Sequence, residues 1–200
     1  IDPAVVESKT VQVAGLVVRE HCLTPSHSAS VSTLDEYLAS IGIPGICGVD
    51  TRSITRRLRS SGVMMGLISP RSPEDSLDQL AKAPRYNDTD FVRTVTTQEE
   101  YRLDRSKGEC DVHCRIVVAD YGVKYNILRL LRKRGCEVIV VPASSTSKHI
   151  LSLEPRGVVF SPGPGDPALL DYAVDTAHQL LGKLPVLGIC LGHQIVARAL

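Results

Sequence analysis

"RIVVADYGVKYNILRLLRKRGCEVIVVP", residues 115–142, decides the fold. "RIVVAD" (115–120) is a short, almost unbroken apolar run rich in β-branched residues, the signature of a strand buried on both faces. "NILRLLRKRG" (126–135) changes period: its leucines and isoleucine fall on one helical face, its basic residues on the other, and Gly135 stops it. "EVIVVP" then returns to the strand pattern. A strand, an amphipathic helix and a second buried strand make a βαβ unit, which implies a parallel sheet with helices on its faces.

The pattern continues outward toward residue 200. "RGVVFS" (156–161) predicts a third strand, residues 167–182 a helix, and "PVLGI" (185–189) a fourth strand. In such sheets ligands bind beyond the carboxyl ends of the strands. Three turns fall there: Tyr121–Asn126, Ser161–Asp166 and Cys190–Gln194.

The third turn carries the chemistry. "GICLG" (188–192) is the cysteine form of the strand–nucleophile–helix elbow G-x-S-x-G. Gly188 and Gly192 let the backbone pass close to itself, so the side chain of Cys190 is held at the top of the sheet. The helix that follows offers free N–H groups and the positive end of its dipole, which favour a thiolate and can hold an oxyanion. The N–H of Leu191, the residue after the nucleophile, is the expected donor. Most free cysteines are merely small buried residues; the elbow and its place after a strand argue for the nucleophile. One βα unit earlier stands "FSPGPGDP" (160–167), where prolines stiffen a turn containing Gly163 and Gly165. A stiff loop of this kind can aim backbone groups at a small ligand without ordering on binding.

Before residue 115 the texture differs. "VQVAGLVV" (11–18), "GICGVD" (45–50) and "MMGLIS" (64–69) predict strands. Ser32 or Thr33 can cap a helix to about Ser40, with Asp35 and Glu36 placed for a capping box. "TRSITRRLRS" predicts a helix with Ile54 and Leu58 on one face, ended by Gly62, and Pro73 opens another. These observations divide the chain into a first domain at 1–98, a linker at 99–112 and a second domain at 113–200.

Composition bounds the function. Apolar residues make up 43% and charged residues 22%, enough for a buried core, and the net charge of +1 supports neither a nucleic-acid groove nor an anionic membrane surface. No apolar run approaches the ~20 residues that span a bilayer. The six cysteines are scattered, which points to reduced thiols in a cytoplasm-like compartment. Cys110 and Cys114 bracket His113, but no second ligand pair follows at zinc-site spacing, so no metal site is expected. Ile1 in place of Met, and Leu200 inside a helix-like run, read as cut ends.

"GICLGHQ" with an upstream "GPGDP" resembles the class I (triad-type) glutamine amidotransferases. "GVDTRSITRRLRSSGVMMG" (48–66) and "GVKYNILRLLRKRGCEVIVVPA" (122–143) extend the likeness to the carbamoyl-phosphate synthetase small chains. The resemblance implies a parallel-sheet, flavodoxin-like α/β amidotransferase domain, incomplete at its C-terminal end, behind a smaller swivelling β/β/α-type domain. It implies glutamine hydrolysis, with ammonia passing to a large chain that makes carbamoyl phosphate from bicarbonate and ATP for arginine and pyrimidine synthesis. The implied partners are L-glutamine and the large chain, in a heterodimer or higher oligomer; the implied compartment is the cytoplasm. No cofactor belongs to this chain; ATP and Mg belong to the large one.

By the same resemblance Cys190 is the nucleophile that forms a glutamyl thioester. Gly163 and Leu191 supply backbone donors to the oxyanion, and Gly165 and Gln194 hold the glutamine. His193 lies in the motif but is not the family's base, and Lys124 and Asn126 brace the site. The other histidines, including His149 and His178, fall in no motif and read as surface or loop residues. The family's catalytic His and its carboxylate partner, a His-x-Glu pair, lie beyond residue 200, and a glutamine-contacting serine lies before residue 1. One departure is Pro162, where the synthetase chains usually carry Asn; "SPGPG" is the form of the amidotransferase component of anthranilate synthase. Such components lack a domain like residues 1–98. A catalytically silent scaffold is the alternative from another class, and such relatives typically lose the cysteine.

Overall fold

The computed structural model describes residues 1–103 and 113–200, and these form two units, Ile1–Tyr86 and Asn87–Leu200. In the first unit, strand β1 (Leu16–Val17) pairs in parallel with β2 (Gly45–Ile46). Helices α1 (Leu34–Ser40), α2 (Thr51–Ser61) and α3 (Pro73–Ala81) complete it. Thr33 caps α1: its Oγ1 accepts the Glu36 N–H at 3.1 Å while the Glu36 carboxylate accepts the Thr33 N–H at 2.8 Å. That is the capping box expected from the sequence. Asp50 and Ser72 cap α2 and α3 by accepting the N–H groups of Ser53 and Asp75.

Two expected strands differ. Of residues 11–18 only Leu16 and Val17 pair, and 64–69 form no strand. A strand exists through its ladder, and β1 finds a partner only two residues long. Burial is sparse too. Leu38 is the one buried apolar side chain described in this unit, and Ile54 and Leu58 on the apolar face of α2 stay 42% and 40% exposed.

The second unit holds helix α4 (Val92–Val95), strand β3 (Tyr101–Arg102), β4 (Cys114–Asp120), α5 (Tyr125–Lys133) and β5 (Cys136–Pro142). Then follow α6 (Ser147–Ser152), β6 (Gly157–Phe160), α7 (Asp171–Leu180), β7 (Val186–Gly188) and α8 (Leu191–Ala199). The expected helix at 167–182 is a 3-10 turn, Pro167–Leu169, followed by α7.

The sheet runs β3-β5-β4-β6-β7, parallel except for the short antiparallel edge β3. This is the expected α/β, mostly parallel, flavodoxin-like arrangement. From β4 the chain steps one way to β5 and the other way to β6, so the order reverses between β4 and β6. A reversal of this kind opens a crevice at the carboxyl ends of the strands.

Alternation along the strands fills both faces. Val117, Ala119, Ile139, Val141, Val158 and Phe160 pack with Ala173, Ala177 and Leu180 of α7 and Leu191 and Ile195 of α8. Val118, Val138, Val140 and Val159 pack with Leu128 of α5. Both sides are therefore apolar, which is why these strands read as continuous runs rather than alternating ones.

The expected first-domain boundary at residue 98 and the linker at 99–112 meet a different division, at Tyr86/Asn87. Val92 is fully buried in the second unit, the Thr97 N–H donates to Asp120 Oδ2 at 2.7 Å, and Thr96 Oγ1 accepts the Ala143 N–H at 2.9 Å. Tyr101 and Arg102 pair with Val140 and Ile139. Residues 104–112 of the expected linker, Cys110 among them, lie outside the described residues.

Candidate active site

Three turns meet at the carboxyl end of the sheet, two of them locked by short polar side chains and the third by backbone hydrogen bonds. After β4, Asp120 is buried and its Oδ1 accepts the N–H groups of Gly122 (2.9 Å) and Val123 (2.8 Å). After β6, the fully buried Ser161 ties the neighbouring turns together. Its Oγ accepts the Tyr121 N–H at 2.8 Å and donates to the Pro162 carbonyl at 2.9 Å. Its N–H donates to the Ala119 carbonyl (3.2 Å) and its carbonyl accepts the Gly192 N–H (3.2 Å). One serine thus bridges the turns that follow β4, β6 and β7.

The third turn is the elbow. Ile189 donates to the Phe160 carbonyl at 3.0 Å, and the chain then reverses at Cys190, whose φ is 53° and ψ −111°. A non-glycine residue in this region is strained by about 1–3 kcal/mol and persists only where its surroundings impose it. Here the surroundings are two glycines. A Cβ at Gly188 would stand 2.6 Å from the Gly192 carbonyl oxygen, and one at Gly192 would overlap the backbone of Phe160. Cys190 is left exposed while Leu191 is buried as the first residue of α8. The Leu191 N–H belongs to the first helical turn, whose donors no helical carbonyl can reach. Among the described residues no side chain hydrogen-bonds the Cys190 sulfur.

Gly163 is packed as tightly: a Cβ there would overlap the Tyr121 carbonyl oxygen. Gly165 has φ +96° and lies against Phe91. The predicted residues Gly163, Cys190 and Leu191 are therefore on turns coupled through Ser161. Gln194 and His193 are exposed on the first turn of α8, and Gln194 closes that turn by donating to the Cys190 carbonyl at 3.1 Å. Lys124 and Asn126 are exposed where α5 begins. His149 and His178, expected on surface or loops, are exposed on helices: His149 Nε2 lies 3.0 Å from Glu100, and His178 Nδ1 lies 2.8 Å from the Ala199 carbonyl.

Sequence reasoning missed Asp120, Tyr121 and Ser161. The available signal was a short polar residue ending each apolar strand, followed within two or three positions by glycine. The Tyr121 ring stacks on Phe160 with centroids 5.9 Å apart, and burial pushes its phenol well above the ordinary tyrosine range. No group of three or more His, Cys, Asp or Glu able to hold a metal occurs among the described residues. No described helix is long and apolar enough to cross a membrane.

Comparison with known families gives two matches. Residues 117–200 match the model of the class-I glutamine amidotransferases, and residues 1–68 match that of the carbamoyl-phosphate synthase small chain, CPSase domain. A carbamoyl phosphate synthase small chain of Methanopyrus kandleri is 44% identical over 203 residues, 98% of this chain and 55% of the relative. The pyrimidine-specific small chain of Bacillus subtilis is 41% identical over 196 residues, 96% of this chain and 51% of the relative. A chloroplastic small chain of Oryza sativa subsp. japonica is 40% identical over 210 residues, 100% of this chain and 47% of the relative. The chain spans about half the length of the curated relatives it matches.

Proposed function

The chain belongs to the family of carbamoyl-phosphate synthase small chains, and from that premise we propose that its protein releases ammonia from L-glutamine and delivers it to a large chain. The strained elbow at Cys190, hydrogen-bonded to the Ser161–Gly163 turn, is the observation that carries the reading. The Cys190 sulfur attacks the side-chain amide of glutamine and forms a tetrahedral intermediate. The N–H groups of Leu191 and Gly163 hold its oxyanion, while Gly165 and Gln194 hold the glutamine. Donors on a rigid backbone need no reorganisation as the charge develops, which makes them effective. Loss of ammonia leaves a glutamyl thioester, and water then releases glutamate. The base that serves these steps is the His of a His-x-Glu pair beyond residue 200.

This chain needs no cofactor for that chemistry. The large chain would use ATP and Mg to combine the ammonia with bicarbonate into carbamoyl phosphate, feeding arginine and pyrimidine synthesis in the cytoplasm. The match of residues 1–68 to the synthase domain speaks for this enzyme over an anthranilate synthase component. The retained Cys190 speaks against a silent scaffold.

The test is Cys190→Ser in the complete protein bound to its large chain. The alcohol nearly matches the thiol in size but is a poor nucleophile where the base is tuned for sulfur. Glutamine-dependent synthesis of carbamoyl phosphate is expected to vanish while synthesis from added ammonia survives. Equal loss of both would make Cys190 structural, and retention of the glutamine-dependent rate would remove it from the chemistry.

A further inference from the structure

A pair of sulfurs lies at the other end of the sheet. Cys114 opens β4, Cys136 opens β5, and the two are direct register partners. Their sulfurs stand 3.7 Å apart, both side chains are half-buried, and both are free thiols. Neighbouring strands run ~4.8 Å apart, inside the range of roughly 4.4–6.8 Å that Cα atoms span across a disulfide. Cys190, by contrast, follows the carboxyl end of β7. A seven-residue parallel strand is about 20 Å long, so the pair is remote from the proposed nucleophile.

We propose that Cys114 and Cys136 form a dithiol site that takes a low-molecular-weight disulfide, such as oxidised glutathione, and becomes an intramolecular disulfide. In the first step the Cys114 sulfur attacks one sulfur of the small disulfide; a protein–small-molecule S–S bond forms and one small thiol leaves. In the second, the Cys136 sulfur attacks the Cys114 sulfur and expels the other small thiol. The protein loses two hydrogens and the small disulfide gains them, so no further oxidant is needed.

Geometry makes the second step specific to this pair. A thiol 3.7 Å away resolves a mixed disulfide intramolecularly. Cys22, Cys47 and Cys190 are exposed, and among the described residues none has a second sulfur at hydrogen-bond distance. They would stop at the mixed disulfide. The bridge would also be reversible. Paired strand positions hold their Cβ atoms wider than the mean of about 3.8 Å in disulfides, and such departures ease reduction. Partial burial, and then the contact with Cys114, push the Cys136 thiol up to about 11. Oxidation is therefore slow at neutral pH, and the pair stays reduced where small thiols dominate.

The experiment treats the complete protein with oxidised glutathione, blocks remaining thiols, digests with trypsin without reductant and weighs the peptides. The peptides 108–115 and 135–148 are expected to be linked at two hydrogens below their summed mass, with glutathione or the blocking group on Cys110 alone, and to separate with dithiothreitol. Cys22, Cys47 and Cys190 are expected to carry glutathione. Cys136→Ser should leave glutathione on Cys114, and Cys110→Ser, which spares both partners, should leave the link intact. The proposal is overturned by glutathione adducts that persist on Cys114 or Cys136. A link that survives Cys114→Ser, or a pair still reduced after prolonged treatment with excess oxidised glutathione, overturns it as well. The outcome does not depend on whether glutamine is the substrate.

Discussion

At Cys190 the backbone takes a strained turn: φ of 53° is tolerated because Gly188 and Gly192 clear the space around it. The same logic governs Gly163, which is constrained by volume rather than by dihedral angle. Its hydrogen faces the Tyr121 carbonyl oxygen, and a methyl group there would displace either the loop or the turn after β4. Gly163→Ala in the complete protein is therefore expected to shift the N–H proposed for the oxyanion. Loss of one such donor costs roughly 10²–10³ in kcat. Glutamine turnover should fall on that scale while ammonia-dependent synthesis by the complex stays near wild type. Unchanged glutaminase kinetics would remove Gly163 from the oxyanion site. Ser161 shows what a single residue conceals in sequence. Its hydroxyl spares the Tyr121 N–H a buried vacancy that would cost about 1–3 kcal/mol. Nothing local distinguishes it from any serine at a strand end, because its partner lies forty residues away.

Helices were legible where their signals are local. Thr33 and Glu36 close a reciprocal cap within four residues, so the start of α1 could be read directly. Thr33→Ala is expected to destabilise the first unit by about 1 kcal/mol, read as a lower denaturation midpoint. The same box sets a pH dependence. The Thr33 backbone N–H, then its hydroxyl, hold the Glu36 carboxyl below its ordinary value of 4.5. Stability from a depressed carboxyl is complete above the unfolded value and is lost as pH falls through the folded one. An acid titration followed by circular dichroism should show that loss below about pH 4.5 in the wild type and not in Glu36→Gln, which keeps the side chain's shape but cannot ionise. Identical titrations would mean that the box contributes nothing. Strands were less legible. β4 and β5 share seven register pairs and match their apolar runs, whereas 11–18 and 64–69 are as apolar but have little or nothing to pair with. Composition reports that a segment can be a strand; the ladder decides whether it is one.

Over the whole molecule, the order β5-β4-β6-β7 puts the reversal between β4 and β6, so the turns after these strands flank one crevice and the elbow after β7 adjoins it. The thiol has its backbone setting within residues 1–200, yet no described side chain hydrogen-bonds its sulfur. Attack by the thiol needs a base within hydrogen-bond reach to take its proton. Residues 1–200 produced alone are therefore expected to release ammonia from glutamine no faster than their own Cys190→Ser variant. The complete protein should show a large, Cys190-dependent rate. Cysteine-dependent turnover by residues 1–200 would mean that the base lies within them. The sequence by itself determined the βαβ rhythm, the glycine-flanked cysteine, the caps and the family likeness, because each rests on residues a few positions apart. Tertiary structure alone decided that 87–98 joins the second unit, that Ser161 bridges three turns, and that Cys114 faces Cys136. Those facts depend on hydrogen bonds and register between segments far apart in the chain, which no local periodicity encodes.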